Sequence, residues 1–155
     1  MNKITLTVNG EAYNVVVDGG KTLLDCLREN LQLTGTKKGC DRGDCGACAV
    51  LIDGLPVNAC LVLAAEVEGK EITTIEGLAK DGVLHPLQQA FIDRGAIQCG
   101  FCTPGMVLSA KAILDQHLKP TRDDIRKALA GNLCRCGGYS RILEAVLSVV
   151  NSRST

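Results

Sequence analysis

The sequence predicts an α+β chain in two parts: a β-rich first half holding one helix, then an all-helical second half. Three observations carry this. Apolar and polar residues alternate near the N-terminus, with Ile4, Leu6 and Val8 on one side. Asn9-Gly10 and Asp53-Gly54 stand between apolar runs as hairpin turns do. After Val83, helix start and stop residues recur with no further strand pattern.

Taken in order, "KITLTVNG" is a strand running into the Asn9-Gly10 turn, and "EAYNVVV" returns with Tyr13, Val15 and Val17 on one face. Thr22 caps "KTLLDCLRENL", an amphipathic helix in which Leu23, Leu27 and Leu31 repeat every four positions. "CAVLIDG" and "LPVNAC" form a second hairpin, and "KEITTIE" adds a short strand. The boundary falls in Gly77–Val83, giving domains 1–77 and 78–155. Four helices follow. His85-Pro86 opens the first and Gly95 closes it. Thr103-Pro104 opens the second. Thr121 caps the third, with Asp124 in the capping-box place and Gly131 stopping it. Ser140 caps "RILEAVLSVVN", and the final "NSRST" is expected to fray.

At 155 residues the chain suffices for one ordinary domain or two small ones. Hydrophobic residues make up 46% of it but aromatics only 3%, so the core is aliphatic, with cysteine or a cofactor filling some space. Lys+Arg and Asp+Glu balance at 17 each, which gives no electrostatic reason to expect nucleic acid or an anionic membrane. The N-terminus reads as a strand rather than a signal peptide. No stretch approaches the ~18 apolar residues of a membrane helix. The expected location is cytoplasmic, where disulfides are disfavoured. Nine cysteines in such a chain point to metal.

Eight of them form two sets. Cys40, Cys45, Cys48 and Cys60 are spaced C-x4-C-x2-C-x11-C, and the first three match the plant-type spacing for a [2Fe–2S] cluster. Such a cluster carries negative charge and needs hydrogen-bond donors aimed at its sulfurs. Gly39, Gly43 and Gly46 offer the positive φ that turns backbone N–H groups inward, and Lys37, Lys38 and Arg42 add positive charge. A zinc knuckle is the alternative, but it usually pairs two C-x2-C units. Cys99, Cys102, Cys134 and Cys136 form the second set, C-x2-C and C-x-C at helix ends. The helix start after Cys102 favours thiolate. Spacing alone leaves this set open between iron–sulfur and zinc. Cys26, beside Leu23 and Leu27, reads as a buried thiol acting as a small hydrophobe.

The segments "GCDRGDCGACAVLIDG", "QCGFCTPGMVLSA" and "GNLCRCGGY" occur in the order seen in the small iron–sulfur subunit of molybdenum hydroxylases, the xanthine dehydrogenase and aldehyde oxidoreductase family, which also includes aerobic carbon monoxide dehydrogenase. The chain resembles that subunit over nearly its whole length. The resemblance implies a plant-type ferredoxin-like (β-grasp) domain whose Cys40, Cys45, Cys48 and Cys60 bind an outer [2Fe–2S] cluster. It implies a four-helix domain whose Cys99, Cys102, Cys134 and Cys136 bind an inner one. Gln98 matches a glutamine that hydrogen-bonds the pterin of the molybdenum cofactor, and Cys136 lies near that pterin. One position departs: Gly137 stands where the family more often has Thr, which removes a hydroxyl near the inner cluster.

The chain has no Gly-rich dinucleotide fingerprint and no room for a molybdenum domain. Neither cysteine set reads as acid–base catalytic machinery. His85 and His117 sit outside both, in structural or solvent-facing places. By resemblance, the chain relays electrons. They pass from molybdopterin (a dinucleotide form) in a large subunit, through two clusters, to FAD in a medium subunit or to another acceptor. The assembly implied is a hetero-oligomer, such as a dimer of heterotrimers. The competing functions are a free-standing two-cluster ferredoxin and a zinc protein. Zero net charge and the apolar run "RILEAVLSVV" argue for burial against partners.

Overall fold

In the computed structural model, which describes residues 1–153, the opening alternation forms β1 (Asn2–Val8) and its return forms β2 (Glu11–Val17). They pair antiparallel from Asn2 with Val17 to Val8 with Glu11. Asn9 and Gly10 both take positive φ, 55° and 82°, as a tight turn between right-twisting strands requires. Ile4, Leu6, Val8, Val15 and Val17 are buried together.

Thr22 Oγ1 accepts the Asp25 N–H at 3.1 Å and starts α1 (Leu23–Asp25). The expected long helix does not continue. Cys26–Asn30 widen into a π turn, with Leu31 N–H bonding back to Cys26 O. Gln32 then turns left-handed at φ 58°. Leu23, Leu24, Cys26 and Leu27 are fully buried, while Leu31 lies at the margin, so the four-residue leucine repeat fails at its end. Burial raises the Cys26 thiol pKa, in keeping with a packed, inert side chain.

β3 (Ala49–Ile52) and β4 (Leu55–Asn58) form the second hairpin, and β5 (Glu71–Thr73) completes a sheet of order β2-β1-β5-β3-β4. β1 and β5 run parallel; the other neighbours are antiparallel. Every residue of β3 is buried. Val50 and Ile52 join the core beneath α1, and Leu51, pointing the other way, joins the helical core. A continuous apolar strand is what two covered faces demand.

The helical half contains α2 (Pro86–Asp93), α3 (Thr103–Gln116), α4 (Arg122–Leu129) and α5 (Tyr139–Ser152). All of Pro104–Ala110 is buried, since the start of α3 lies between the sheet and the other helices. Thr121 Oγ1 accepts the Asp124 N–H at 3.2 Å, and the Asp124 carboxylate accepts the Thr121 N–H at 2.8 Å. α5 starts earlier than expected: Gly138 is its N-cap and Ser140 lies inside its first turn. Asn151 and Ser152 are helical rather than frayed, and Arg153 Nη1 donates to Leu114 O at 2.9 Å. Residues 154–155 lie outside the described residues. The run "RILEAVLSVV" faces inward, with Ile142, Leu143, Ala145, Val146, Val149 and Val150 buried in this chain's own core. It therefore gives no argument for a partner. Among the described residues no helix is long and apolar enough to cross a membrane.

A polar knot fastens the end of the first half back onto its own sheet and loop. Thr74, fully buried, donates its N–H to Asn9 Oδ1 at 2.9 Å and its hydroxyl to Glu76 at 2.6 Å. The other Glu76 oxygen accepts the Gly35 N–H at 2.7 Å, which fastens the approach to Cys40.

His85 caps α2 through Nδ1, which accepts the Leu87 N–H at 3.2 Å and can do so only in the neutral ring. Burial, reinforced by Lys111, lowers its pKa from the usual 6.5. With the folded pKa below the unfolded one, the cap's contribution is present above the unfolded value. It is lost as pH falls through the folded one. The unfolding temperature should therefore drop on acidification below about pH 6.5. His85→Asn, an acceptor that does not titrate, should flatten that slope; an unchanged slope would remove His85 from the account.

Candidate metal centres

Three of the first set, Cys40, Cys45 and Cys48, lie on the loop between α1 and β3, and Cys60 follows β4. Gly43 and Gly46 take positive φ, 85° and 69°, and the third left-handed position is Asp41 at 58° rather than Gly39. Gly39 is needed for a different reason: a Cβ there would lie 2.8 Å from Cys45 Sγ. The turns aim backbone donors at sulfur. Cys40 Sγ accepts the N–H of Asp44 at 3.2 Å and of Cys45 at 3.4 Å. Cys45 Sγ accepts those of Cys40 at 3.4 Å and Ala47 at 3.5 Å. The N–H groups of Arg42, then Cys45 and Asp44, bring the Cys40 thiol from 9.0 down to about 7. Cys48 and Cys60 are buried, and burial pushes the Cys48 thiol up to about 12. Asn58 Nδ2 donates to Gly43 O at 3.1 Å and holds the loop down over them.

The expected basic surround is largely neutralised. Lys38 pairs with Asp25 at 2.9 Å and Asp41 at 3.1 Å, Arg42 pairs with Asp44 at 2.7 Å, and Lys37 Nζ donates to Thr34 O. Backbone N–H groups, not side-chain cations, face the sulfurs.

The second set comes from two helix approaches, Cys99–Cys102 before α3 and Cys134–Cys136 before α5. Gly100 and Gly137 take positive φ, 82° and 74°. Gly137 thus occupies a conformation in which Thr is strained. Cys134 Sγ accepts the Gly138 N–H at 3.4 Å, and the Cys134 N–H donates to the Tyr139 hydroxyl at 2.8 Å. Burial pushes the Cys134 thiol up, but N–H groups led by Gly138 outweigh it and hold it below the ordinary value. The Phe101 N–H lowers Cys99, whereas burial raises Cys102 to about 12. Cys99, Cys136 and Gln98 are exposed, as are Ile97, Phe101, Leu133 and Tyr139, all within three residues of one of these cysteines in sequence.

The cysteines are grouped in twos. Cys40 and Cys45 each accept the other's backbone N–H, Cys60 acts on the titration of Cys48, and Cys102 with Cys134 and Cys99 with Cys136 act on one another's. A single tetrahedral ion would instead gather its thiolates about one centre at about 2.3 Å. Among the described residues no three His, Cys, Asp or Glu are gathered in that way. Two pairs per set suit a two-iron centre with two thiolates on each iron, and donors already aimed at the sulfurs suit its charge. The two sets also touch. Leu133, next to Cys134, donates its N–H to Cys45 O at 2.9 Å, and Asn132 Nδ2 donates to Gly46 O at 3.0 Å. Asn132 carries no metal-binding signature in sequence, and only the fold reveals its place.

Residues 6–79 match the family model described as a 2Fe-2S iron-sulfur cluster binding domain, and residues 74–147 match that described as a [2Fe-2S] binding domain. The nicotinate dehydrogenase small FeS subunit of Eubacterium barkeri is 52% identical over 148 residues, covering 94% of each chain. The crystal structure of quinoline 2-oxidoreductase from Pseudomonas putida 86 contains a chain 44% identical with a TM-score of 0.93, covering 99% of this chain and 96% of that one. The aldehyde oxidoreductase from Desulfovibrio desulfuricans ATCC 27774 matches at 46% identity and a TM-score of 0.93. There the match covers 98% of this chain but 17% of the longer one.

Proposed function

This chain belongs to the small iron–sulfur subunits of the molybdenum hydroxylases, and from that membership we propose that it relays electrons from a molybdopterin site in a large partner subunit to FAD in a medium subunit or to another acceptor. Each [2Fe–2S] cluster, when bound, supplies a one-electron redox centre. Cys40 with Cys45 and Cys48 with Cys60 would hold the outer cluster in a plant-type ferredoxin-like (β-grasp) domain, residues 1–77. Cys99 with Cys136 and Cys102 with Cys134 would hold the inner cluster in a four-helix domain, residues 78–155. The observation that carries this reading is the meeting of the two cysteine loops, with Leu133 N–H on Cys45 O and Asn132 on Gly46 O, and backbone N–H groups already aimed at sulfur in both.

Gln98 and Cys136, both exposed at the outer end of the second set, would face the pterin. Exposed Ile97, Phe101, Leu133 and Tyr139, close to the second set in sequence, suit a covered contact with the large subunit better than open solvent. The chain is proposed to work in the cytoplasm as part of a hetero-oligomer. Affinity purification of the chain from its native cells tests the relay reading. A large molybdenum-containing partner is expected, together with iron and acid-labile sulfide in equal amounts. Recovery of a brown chain with no partner would overturn the subunit assignment and leave a diffusible two-cluster ferredoxin. A colourless chain holding zinc would overturn both.

A further inference from the structure

We infer that Asn132 is a positioning residue whose buried carboxamide holds the two cysteine loops at a fixed separation and so sets the coupling between the centres they carry. This rests on the two-cluster reading above. Asn132 is 5% exposed, and its Nδ2 donates to the Gly46 carbonyl at 3.0 Å, between Cys45 and Cys48 in sequence. Leu133, the next residue, donates its N–H to Cys45 O at 2.9 Å, and Cys134 follows. Two consecutive residues leading into the Cys134–Cys136 loop are thus bonded to two consecutive residues of the first cysteine loop.

The start of α3 closes the third side. A Cβ on Gly105 would lie 2.4 Å from Gly46 O and 3.0 Å from Asn132 Nδ2. Gly105 stands three residues after Cys102. Three backbone segments, each adjoining cysteines, therefore converge on one amide. The Leu133 bond is main chain and survives any side-chain change. The Asn132 bond is side chain and can be removed alone. Aspartate has nearly the same shape but, when ionised, no donor. It would set carboxylate oxygens against the Gly46 carbonyl in a buried place and drive the loops apart.

The test is the low-temperature EPR spectrum of the purified complex with both clusters reduced. It compares the unsubstituted chain with Asn132→Asp, Asn132→Ala and Ile125→Val, the last thinning the buried core of α4. The unsubstituted complex should show both signals split by their mutual interaction. In both Asn132 variants the splitting should narrow or vanish while both signals keep full intensity; Ile125→Val should leave it unchanged. An unsplit spectrum from the unsubstituted complex overturns the inference, as does equal splitting in the Asn132 variants or an equal change in Ile125→Val. Loss of either whole signal in both Asn132 variants also overturns it, by placing Asn132 in the ligand scaffold. No cluster signal from the unsubstituted complex would instead overturn the two-cluster reading.

Discussion

Cys45→Ser removes the outer cluster signal from the reduced-state EPR spectrum and leaves the inner one; that is the expected result, and it should stop electron exit from the complex. A serine hydroxyl is a far poorer anion than a thiol at neutral pH, so one iron loses a thiolate. The sulfur lost is also the acceptor for the Cys40 and Ala47 N–H groups, so the loop loses two of its internal ties. The Cys45 carbonyl, which accepts from Leu133, is untouched, and the second set keeps its four cysteines and its turn. Loss of a supporting group at a metal site alone typically costs roughly 10–100-fold in affinity or activity. Loss of a ligand should reduce turnover with the distal acceptor by more. Disappearance of the inner signal instead would reverse the assignment of the two sets.

Gly46→Ala should destabilise the protein by about 3 kcal/mol, from roughly 1–2 kcal/mol for a left-handed backbone bearing a Cβ and roughly 1–3 kcal/mol for overpacking. Both costs arise at one position. Its φ is 69°, and the added carbon would lie 2.3 Å from Gly131 O, a backbone atom with little freedom to retreat. For a chain of this size the unfolding temperature should fall by about 6–12 °C. Gly131→Ala is the matched control, because a Cβ there meets nothing within 4 Å and its φ is not positive. It should be near neutral. Equal effects from the two substitutions would mean that the close approach contributes nothing.

What could be read from sequence was local. The spacing around Cys40, Cys45 and Cys48, the Asn9-Gly10 and Asp53-Gly54 turns, and the Thr121 cap all depend on residues a few positions apart. So does the presence of four helices after His85. What was missed depends on residues brought together by folding. Lys38 looked like free charge near the first set, yet Asp25, 13 positions earlier, neutralises it. "RILEAVLSVV" looked like a surface for a partner because its inward face fits a core that only the other helices create. The π turn after α1 left no periodic signal, since Leu31 still falls on the helical repeat while the backbone departs from it. The pairing of Cys48 with Cys60 and Cys99 with Cys136 lies in the same class.

The bond from Asn132 to Gly46 spans 86 positions of chain, and that distance has a meaning during synthesis. At about 5–20 residues per second, roughly 4–17 s pass between the ribosome's joining of the two residues. Through most of that interval the nascent chain has the first set's four thiols, three of them on this loop, and the loop's own turns, but not the amide that fixes it from outside. A chain cut short before Asn132 would present the same thiols on a loop never fastened. Iron delivered after translation ends meets a finished cradle; iron delivered earlier meets a loose one.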